Sequence, residues 1–217
     1  MKLVLQFLRL ARVPALMVSV MWLVHLSKWI IDIDVIDLGI YPRTLLGSSG
    51  ILFGPIIHGD IAHLISNSIP LVLLGAALYY GYEKVANKVF VLIYLLSGLL
   101  VWLLAREAHH IGASGVVYGL FSFVLSGGLL AKKRSLAVIG LAVFMLYGGV
   151  FYGVFPNSPG ISWESHLFGL LIGLTLAIFL AKPNMPEDHE PGPNASHTLG
   201  EGYRMNYNYR VMGNEEE

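Results

Sequence analysis

The sequence lacks cysteine and is poor in charged residues. No cysteine occurs among its 217 residues, which excludes disulfide bonds, a thiolate nucleophile and a thiolate metal site. Only 13% of the residues are charged, whereas a soluble domain carries about 25%. Basic and acidic residues balance at 14 each, so no excess of positive charge points to nucleic acid. Because 55% of the residues are hydrophobic, we expect an integral membrane protein.

The apolar residues are concentrated in six blocks, each close to the length of a helix that crosses a hydrocarbon core of ~30 Å. The blocks cover residues 13–31, 60–80, 88–105, 114–131, 136–155 and 161–181. They predict an all-α bundle of six transmembrane helices with a long first external loop. The first block follows basic residues, as a signal peptide does, but it is longer than a signal core and no cleavage site follows it. We therefore expect it to be retained as a span.

The segments outside the blocks divide the chain into three parts. Residues 1–12 are expected to be a cytoplasmic segment and residues 13–182 to form one membrane domain. Within that domain, residues 32–59 are too polar and too rich in glycine and proline to cross the bilayer, and a loop of this length is usually functional or has structure of its own. Residues 183–217 are polar and cannot bury enough apolar surface to fold alone, so we expect a disordered cytoplasmic tail.

Lysine and arginine near the block ends predict the orientation. If the N-terminus is cytoplasmic, that side collects most of them, namely Lys2, Arg9, Arg12, Lys84, Lys88, Lys132, Lys133, Arg134 and Lys182. The opposite side receives only Lys28, Arg43 and Arg106. This bias predicts that both termini lie in the cytoplasm and that the first loop lies outside.

Polar side chains inside membrane spans are costly, so each marks a candidate site. With the predicted orientation, His63 and Asn67 lie in the outer half of the second span, and Ser114 lies at the first turn of the fourth. His166 lies about 7–8 Å into the sixth span at a rise of 1.5 Å per residue. Three helices thus bring these four side chains to one level near the outer face.

Ser114 stands in the segment Gly112-Ala113-Ser114-Gly115 at the head of a hydrophobic block. Small residues in membrane helices commonly serve packing alone, and that alternative stays open. At a helix N-terminus, however, free backbone N–H groups and the helix dipole favour negative charge, which suits an oxyanion forming beside a nucleophilic serine. Gly112 and Gly115 would let a substrate backbone approach closely.

His166 is followed by Gly169 and Gly173 on roughly the same helical face. Small residues at this spacing allow close helix packing, and the fourth span as partner would bring the imidazole to Ser114, where it can act as a general base. The alternative is a histidine that only forms an interhelical hydrogen bond. Glu164 points to a different face, so the pattern favours a Ser–His dyad without an acid. Tyr118 packs either against the imidazole or in the bundle core.

His63 and Asn67 are four residues apart and share a helix face. Both side chains can donate hydrogen bonds to an oxyanion, while His58 lies nearer the loop and is assigned a structural role. A metal site built from His58, His63, His109, His110 and His166 is the weaker interpretation, since no H-E-x-x-H motif occurs. We expect no metal site.

Three motifs together resemble the rhomboid family of intramembrane serine proteases. They are His58…His63-Leu-Ile-Ser-Asn67, then Gly112-Ala113-Ser114-Gly115-Val-Val-Tyr118, and then His166-Leu-Phe-Gly169-Leu-Leu-Ile-Gly173. The resemblance covers about residues 8–182, and the motifs follow the family's order. It implies that Ser114 is the nucleophile and His166 the general base, that His63, Asn67 and the Ser114 backbone N–H form the oxyanion hole, and that Tyr118 stacks on His166.

The resemblance also implies the partners and the location. Rhomboid proteases cleave transmembrane segments of other proteins near the outer leaflet, without a cofactor, so we expect transmembrane substrates and contact with the lipid bilayer. The plasma membrane of a bacterium fits the six-span plan best. Two features depart from the family. The Trp-Arg pair of the first loop is missing, leaving Arg43 alone, and Ser165 stands where alanine is common before the catalytic histidine.

Two other classes of function stay open. An inactive rhomboid-like protein that binds transmembrane helices without cutting them is the first, although such proteins typically lose the serine or the histidine, and both occur here. A small transporter or channel is the second. It predicts charged residues or broken helices near the middle of the bilayer, whereas the polar residues here lie near one face.

Overall fold

Helices make up the regular structure of the computed structural model, which describes residues 2–31, 33–146, 155 and 160–181. The α-helices are α1 (Lys2–Ile31), α2 (Leu45–Ser48), α3 (Gly50–Phe53), α4 (Ile61–Gly81), α5 (Glu83–Leu104), α6 (Ser114–Leu130), α7 (Arg134–Leu146) and α8 (Trp163–Leu180). Two 3₁₀ turns cover Ile36–Leu38 and Gly54–Ile56. The predicted all-α class is confirmed in the described part of the chain.

Four of these helices, α1, α4, α5 and α8, are long and apolar enough to cross a membrane. Helices α6 and α7 are apolar but shorter. Helix α6 begins at Ser114, as predicted, and α8 begins at Trp163, close to the predicted position. The predicted fifth block, 136–155, is described only to Leu146 and again at residue 155, and the predicted tail at 183–217 lies outside the described residues.

Helix α1 begins earlier than the sequence predicted. It starts at Lys2 rather than at Val13, so the segment predicted as a separate N-terminal piece is helical from its second residue. The prediction took Arg9 and Arg12 as the limit of the block, but arginine is a good helix former. The positions of these charges therefore mark where the apolar stretch begins and not where the helix begins. Lysine, glutamate and alanine are also good helix formers, and α5 begins at Glu83, before the predicted residue 88.

Helix α6 lies at the centre of the bundle. It packs against α4, α5, α7 and α8, while α1 packs on α4. Most residues of α6 are buried, as expected for a helix that is apolar all round. Because residues 114–120 are buried among these helices, the first turn of α6 can carry a polar site away from lipid.

Helices α6 and α8 meet at backbone contact. A Cβ atom on Gly169 would overlap the carbonyl oxygen of Gly115, and one on Gly173 would overlap that of Gly119. The Ser122 hydroxyl also donates a hydrogen bond of 2.8 Å to the Leu170 carbonyl. Helix α6 is thus the partner that the glycine spacing on α8 predicted, and the contact aligns the first turns of the two helices.

The first loop has structure of its own and holds the segment before α6. Ile40 and His110 exchange backbone hydrogen bonds of 3.0 and 2.9 Å, and the Gly112 N–H donates to the Gly54 carbonyl at 2.9 Å. The loop is thereby connected by backbone bonds to the residues that lead directly into Ser114.

The first loop also forms hydrogen bonds with a tryptophan of α5. The Arg43 N–H donates to the Trp102 carbonyl at 2.9 Å, and the Trp102 indole donates to the Thr44 carbonyl at 2.8 Å. The Arg43 guanidinium donates to the Ala105 carbonyl at 2.8 Å. Arg43, which stands alone in the sequence of the loop, therefore lies beside a tryptophan that a distant helix supplies.

Candidate active site

A cavity of about 810 Å³ opens at the head of α6. Helices α4, α6 and α8 and the segment between α5 and α6 all contribute to its wall. The wall includes every side chain predicted to do chemistry, namely His63, Asn67, Ser114, Tyr118 and His166. It also includes Asp60, Arg106, His109, His110 and Ser162. Polar groups that are far apart in the sequence thus face one space.

Ser114 is the first residue of α6, and only 9% of its surface is exposed. The residue before it, Ala113, is the N-cap and provides no side-chain hydrogen bond. The N–H groups of a first helical turn have no partner within the helix. The helix therefore presents the positive end of its dipole beside the Ser114 hydroxyl.

Position 112 requires glycine for two reasons, its backbone conformation and its close neighbours. Its φ of +102° lies in the region that L-residues rarely adopt. A Cβ atom at this position would lie 2.6 Å from the His63 ring and 3.8 Å from the Asn67 amide nitrogen. The backbone just before Ser114 thus lies directly against the two side chains predicted to hold the oxyanion.

The first turn of α4 orients those two side chains. Asp60 caps the helix by accepting the His63 N–H at 2.8 Å, and this hydrogen bond is the main reason that the pKa of Asp60 lies below its ordinary value. The Asn67 amide donates to the His63 carbonyl one turn earlier at 3.0 Å. His63 and Asn67 consequently sit on one face of α4, toward the cavity.

His58 connects this face of α4 to the segment just before Ser114. The Ala113 N–H donates to Nε2 of His58 at 3.4 Å, and the His58 ring packs edge-on against the His63 ring with centroids 4.9 Å apart. The residue is buried, and burial lowers the pKa of His58 to about 3. A neutral imidazole accepts the Ala113 N–H, which gives His58 the structural role expected of it.

His166 lies in the first turn of α8 and is 9% exposed. The Tyr118 ring lies flat against its imidazole, with centroids 4.1 Å apart and ring planes 7° from parallel. Of the two environments considered for Tyr118, the structure shows the stack on His166. Ser165, the residue before His166, packs against Gly115, because a Cβ on Gly115 would lie 3.2 Å from the Ser165 carbonyl oxygen.

A second polar group borders the cavity. The sequence analysis considered His110 only as a metal ligand and Ser165 only as a departure from the family pattern, and it did not predict their connection. Nδ1 of His110 lies 2.6 Å from the Ser162 hydroxyl, and Nε2 lies 3.0 Å from the Arg106 carbonyl. The Ser162 and Ser165 hydroxyls are 2.6 Å apart. Burial is the main reason that the pKa of His110 lies below its ordinary value.

An ion pair lies beside this group. The Arg106 guanidinium is 3.2 Å from the buried Glu164 carboxylate and donates to the Ile161 carbonyl at 2.7 Å. Glu164 thus faces Arg106, consistent with the different helix face predicted for it. The sequence does show polar residues close to Ser114 and His166. Which of them contact each other can be seen only in the folded structure. Among the described residues, no group of three or more His, Asp or Glu is arranged to hold a metal.

Comparison with known proteins gives one family. The model of the Rhomboid domain matches residues 48–183. An uncharacterized protein of Mycobacterium tuberculosis is 35% identical over 154 residues, which are 67% of this chain and 64% of that protein. A second uncharacterized protein, from Mycobacterium leprae, is 34% identical over 143 residues, or 62% of this chain and 57% of that protein. RHOMBOID-like protein 2 of Arabidopsis thaliana is 30% identical over 138 residues, or 58% and 41%. The chain spans less than two thirds of the length of these relatives.

Proposed function

The chain belongs to the rhomboid family and is a multi-pass membrane protein, and from this premise we propose that it is an intramembrane serine endopeptidase. The observation that carries the proposal is that Ser114, His166, His63 and Asn67 line one cavity at the head of α6. A nucleophile, a base and oxyanion donors are the groups that acyl transfer from a peptide bond requires.

In the proposed mechanism the Ser114 hydroxyl attacks the carbonyl carbon of a peptide bond while the His166 imidazole takes its proton. The negative charge that develops on the carbonyl oxygen is stabilised by the Ser114 backbone N–H and by donors from His63 and Asn67. His166 then protonates the leaving amine, and water resolves the acyl-enzyme with His166 again as base. Tyr118 holds the imidazole plane through both steps.

The packing of α6 on α8 supports this assignment of roles. Gly115 and Ser165 are in contact, and each is the immediate neighbour of a proposed catalytic residue. The backbone contact therefore holds the helix turns that carry Ser114 and His166 against each other, which favours a preformed arrangement of the two side chains. The base of a dyad must be held in one orientation. Stacking on Tyr118 restrains the plane of the His166 imidazole without a carboxylate.

We further propose the topology and the partners. The six predicted spans, with both termini in the cytoplasm, put the cavity toward the external side of a bacterial plasma membrane. Substrates are transmembrane segments of other proteins that enter laterally from the bilayer, and water enters from the external face. Protease added outside intact cells is expected to cut within residues 32–59, and resistance of this loop, with cleavage only after lysis, would contradict the orientation.

The test of activity uses the full-length protein in liposomes with a transmembrane substrate. Wild type should cleave it, while Ser114→Ala and His166→Ala should each reduce cleavage to background. Ser122→Ala is the matched control, because Ser122 is a buried serine of the same helix that donates to the Leu170 carbonyl and does not belong to the cavity wall. Cleavage that survives both active-site substitutions would refute the mechanism.

Covalent labelling separates the two roles. A fluorophosphonate should label wild type at Ser114 and should label His166→Ala much more slowly, since the base is missing. A wild-type protein that is folded, binds transmembrane segments and neither cleaves nor reacts would instead be the inactive helix-binding relative.

A further inference from the structure

The segment that leads to Ser114 and the segment that leads to His166 are joined by a continuous line of polar groups. His110 lies shortly before Ser114, and Ser162 and Ser165 lie shortly before His166. Neighbouring members of this line are 2.6 to 3.0 Å apart. The last member, Ser165, packs on Gly115 beside Ser114, so the line ends at the first turn of α6.

One carbonyl group fixes the direction of every hydrogen bond in this line. The Arg106 carbonyl can only accept, so Nε2 of His110 carries the proton and donates to it at 3.0 Å. In a neutral imidazole the other nitrogen, Nδ1, is then an acceptor, and the Ser162 hydroxyl must donate to it. The Ser162 oxygen is left free to accept from the Ser165 hydroxyl, 2.6 Å away.

Ser162 does not cap α8, although it lies at the position where serine usually does so. It occupies the N-cap position of α8, where serine usually accepts a backbone N–H of the first turn, but it forms no capping hydrogen bond. Its hydroxyl serves His110 and Ser165 instead. Because Ser162 does not cap its own helix, we infer that its hydroxyl bonds to His110 in preference to a backbone N–H of α8.

The Arg106–Glu164 ion pair holds the same two segments from the side. Arg106 reaches Glu164 and the Ile161 carbonyl through its guanidinium, while its carbonyl accepts from His110. The groups that act electrostatically on His110 are Glu164 from α8, and Arg106 and His109 from its own segment. The first loop contributes its backbone at Ile40.

We propose that the line Arg106 carbonyl–His110–Ser162–Ser165 is a positioning device that sets the distance and angle between Ser114 and His166. The inference rests on the proposed protease function, since it explains how the dyad keeps its geometry without an acid. In this proposal the line acts on the reaction only through the placement of Ser114 and His166, although His110 and Ser162 also line the cavity. Their loss is expected to lower kcat by misplacing His166, while the affinity for the substrate, reflected in KM, stays unchanged.

The kinetic test compares four variants in liposomes with a transmembrane substrate. Ser162→Ala and His110→Leu should lower kcat about tenfold or more, with KM within about twofold of wild type, because a small misplacement of a catalytic group is costly. His110→Gln should recover most of the activity, since its amide keeps one donor and one acceptor. Ser122→Ala, which removes an α6–α8 hydroxyl contact outside the line, should have wild-type kcat.

The result that overturns the proposal is equally specific. If Ser162→Ala and His110→Leu have wild-type kcat, or if Ser122→Ala loses as much as they do, the line does not position the dyad. The same holds if His110→Gln is no better than His110→Leu although both are folded by thermal unfolding.

A spectroscopic measurement separates this proposal from the proposed function. In protein labelled with ¹⁵N-histidine, His110 should appear as the tautomer protonated at Nε2, with a hydrogen-bonded Nδ1 whose signal moves in Ser162→Ala and not in Ser122→Ala. Wild-type protein that shows this signature but cleaves nothing would refute the protease and leave the line intact. A His110 signal protonated at Nδ1 would refute the line whether or not the protein cleaves.

Discussion

The ring of Tyr118 lies flat on the imidazole of His166, with centroids 4.1 Å apart. The tyrosine belongs to the helix that begins with Ser114, and the histidine belongs to the neighbouring helix. The stack therefore restrains rotation of the imidazole by a group that is rigidly attached to the proposed nucleophile's own helix. In a dyad this restraint takes the place of the carboxylate that orients the base in a triad.

Tyr118→Phe should keep kcat within about threefold, because phenylalanine preserves the ring contact, whereas Tyr118→Leu should lose about tenfold. Aromatic pairs are worth roughly 0.5–1.5 kcal/mol beyond their buried area, and about 1.4 kcal/mol corresponds to a factor of ten. Cleavage kinetics of the two variants provide the measurement. Equal losses would indicate that the stack does not orient His166.

Gly112→Ala should lower kcat about hundredfold, because the added Cβ would lie 2.6 Å from the His63 ring and loss of one oxyanion donor costs about 10²–10³. Gly160→Ala is the matched control. Gly160 also has a positive φ, of 87°, and lines the same cavity, but a Cβ there would meet nothing within 4 Å among the described residues. It therefore reports backbone strain in the cavity wall without a clash against His63. Similar kinetics for the two variants would argue against His63 as a donor.

Gly169→Ala should destabilise the protein by about 1–3 kcal/mol, the usual range for overpacking, since its Cβ would overlap the Gly115 carbonyl oxygen. Activity should fall with it, as the separation of α6 and α8 sets the dyad. Thermal unfolding in detergent measures the first effect. Thr175→Ala on the exposed face of α8, where the hydroxyl donates only to the Leu171 carbonyl of its own helix, should unfold like wild type.

The sequence predicts the parts of the site that depend on local pattern. The start of α6 at Ser114 follows from glycines ahead of an apolar run, and the contact of α8 with α6 follows from the spacing of Gly169 and Gly173. Residues that share one helix face, such as His63 and Asn67, can be placed together from periodicity alone. In each case the sequence signal comes from residues within a few turns of one another.

Pairings between distant residues could not be predicted in this way. From the sequence, Ser162 would be interpreted as a helix cap. Only the fold brings its hydroxyl to 2.6 Å from Nδ1 of His110. Trp102 reads as one aromatic residue of an apolar helix, yet its indole donates to the Thr44 carbonyl of the first loop. In both cases a more common role explains the residue at its place in the sequence. The sequence therefore does not indicate the long-range contact.

The pH dependence of stability should report the burial of His58. In the folded protein the pKa of His58 is about 3, whereas an unfolded histidine titrates near 6.5. As the pH falls below about 6.5, the unfolded chain takes up a proton that the folded protein does not bind, so stability is lost progressively until the pH reaches about 3. Each pH unit in that window costs up to about 1.4 kcal/mol.

His58→Gln tests this directly, because its amide oxygen can still accept the Ala113 N–H but does not titrate. Unfolding free energies measured between pH 7 and pH 4.5 should fall less steeply for the variant than for wild type. His110→Gln should also flatten the profile, since burial lowers the pKa of His110 in the same direction. If wild type and both variants have parallel profiles, the two histidines are not held neutral by the fold, and the acceptor role of His58 toward Ala113 would have to be abandoned.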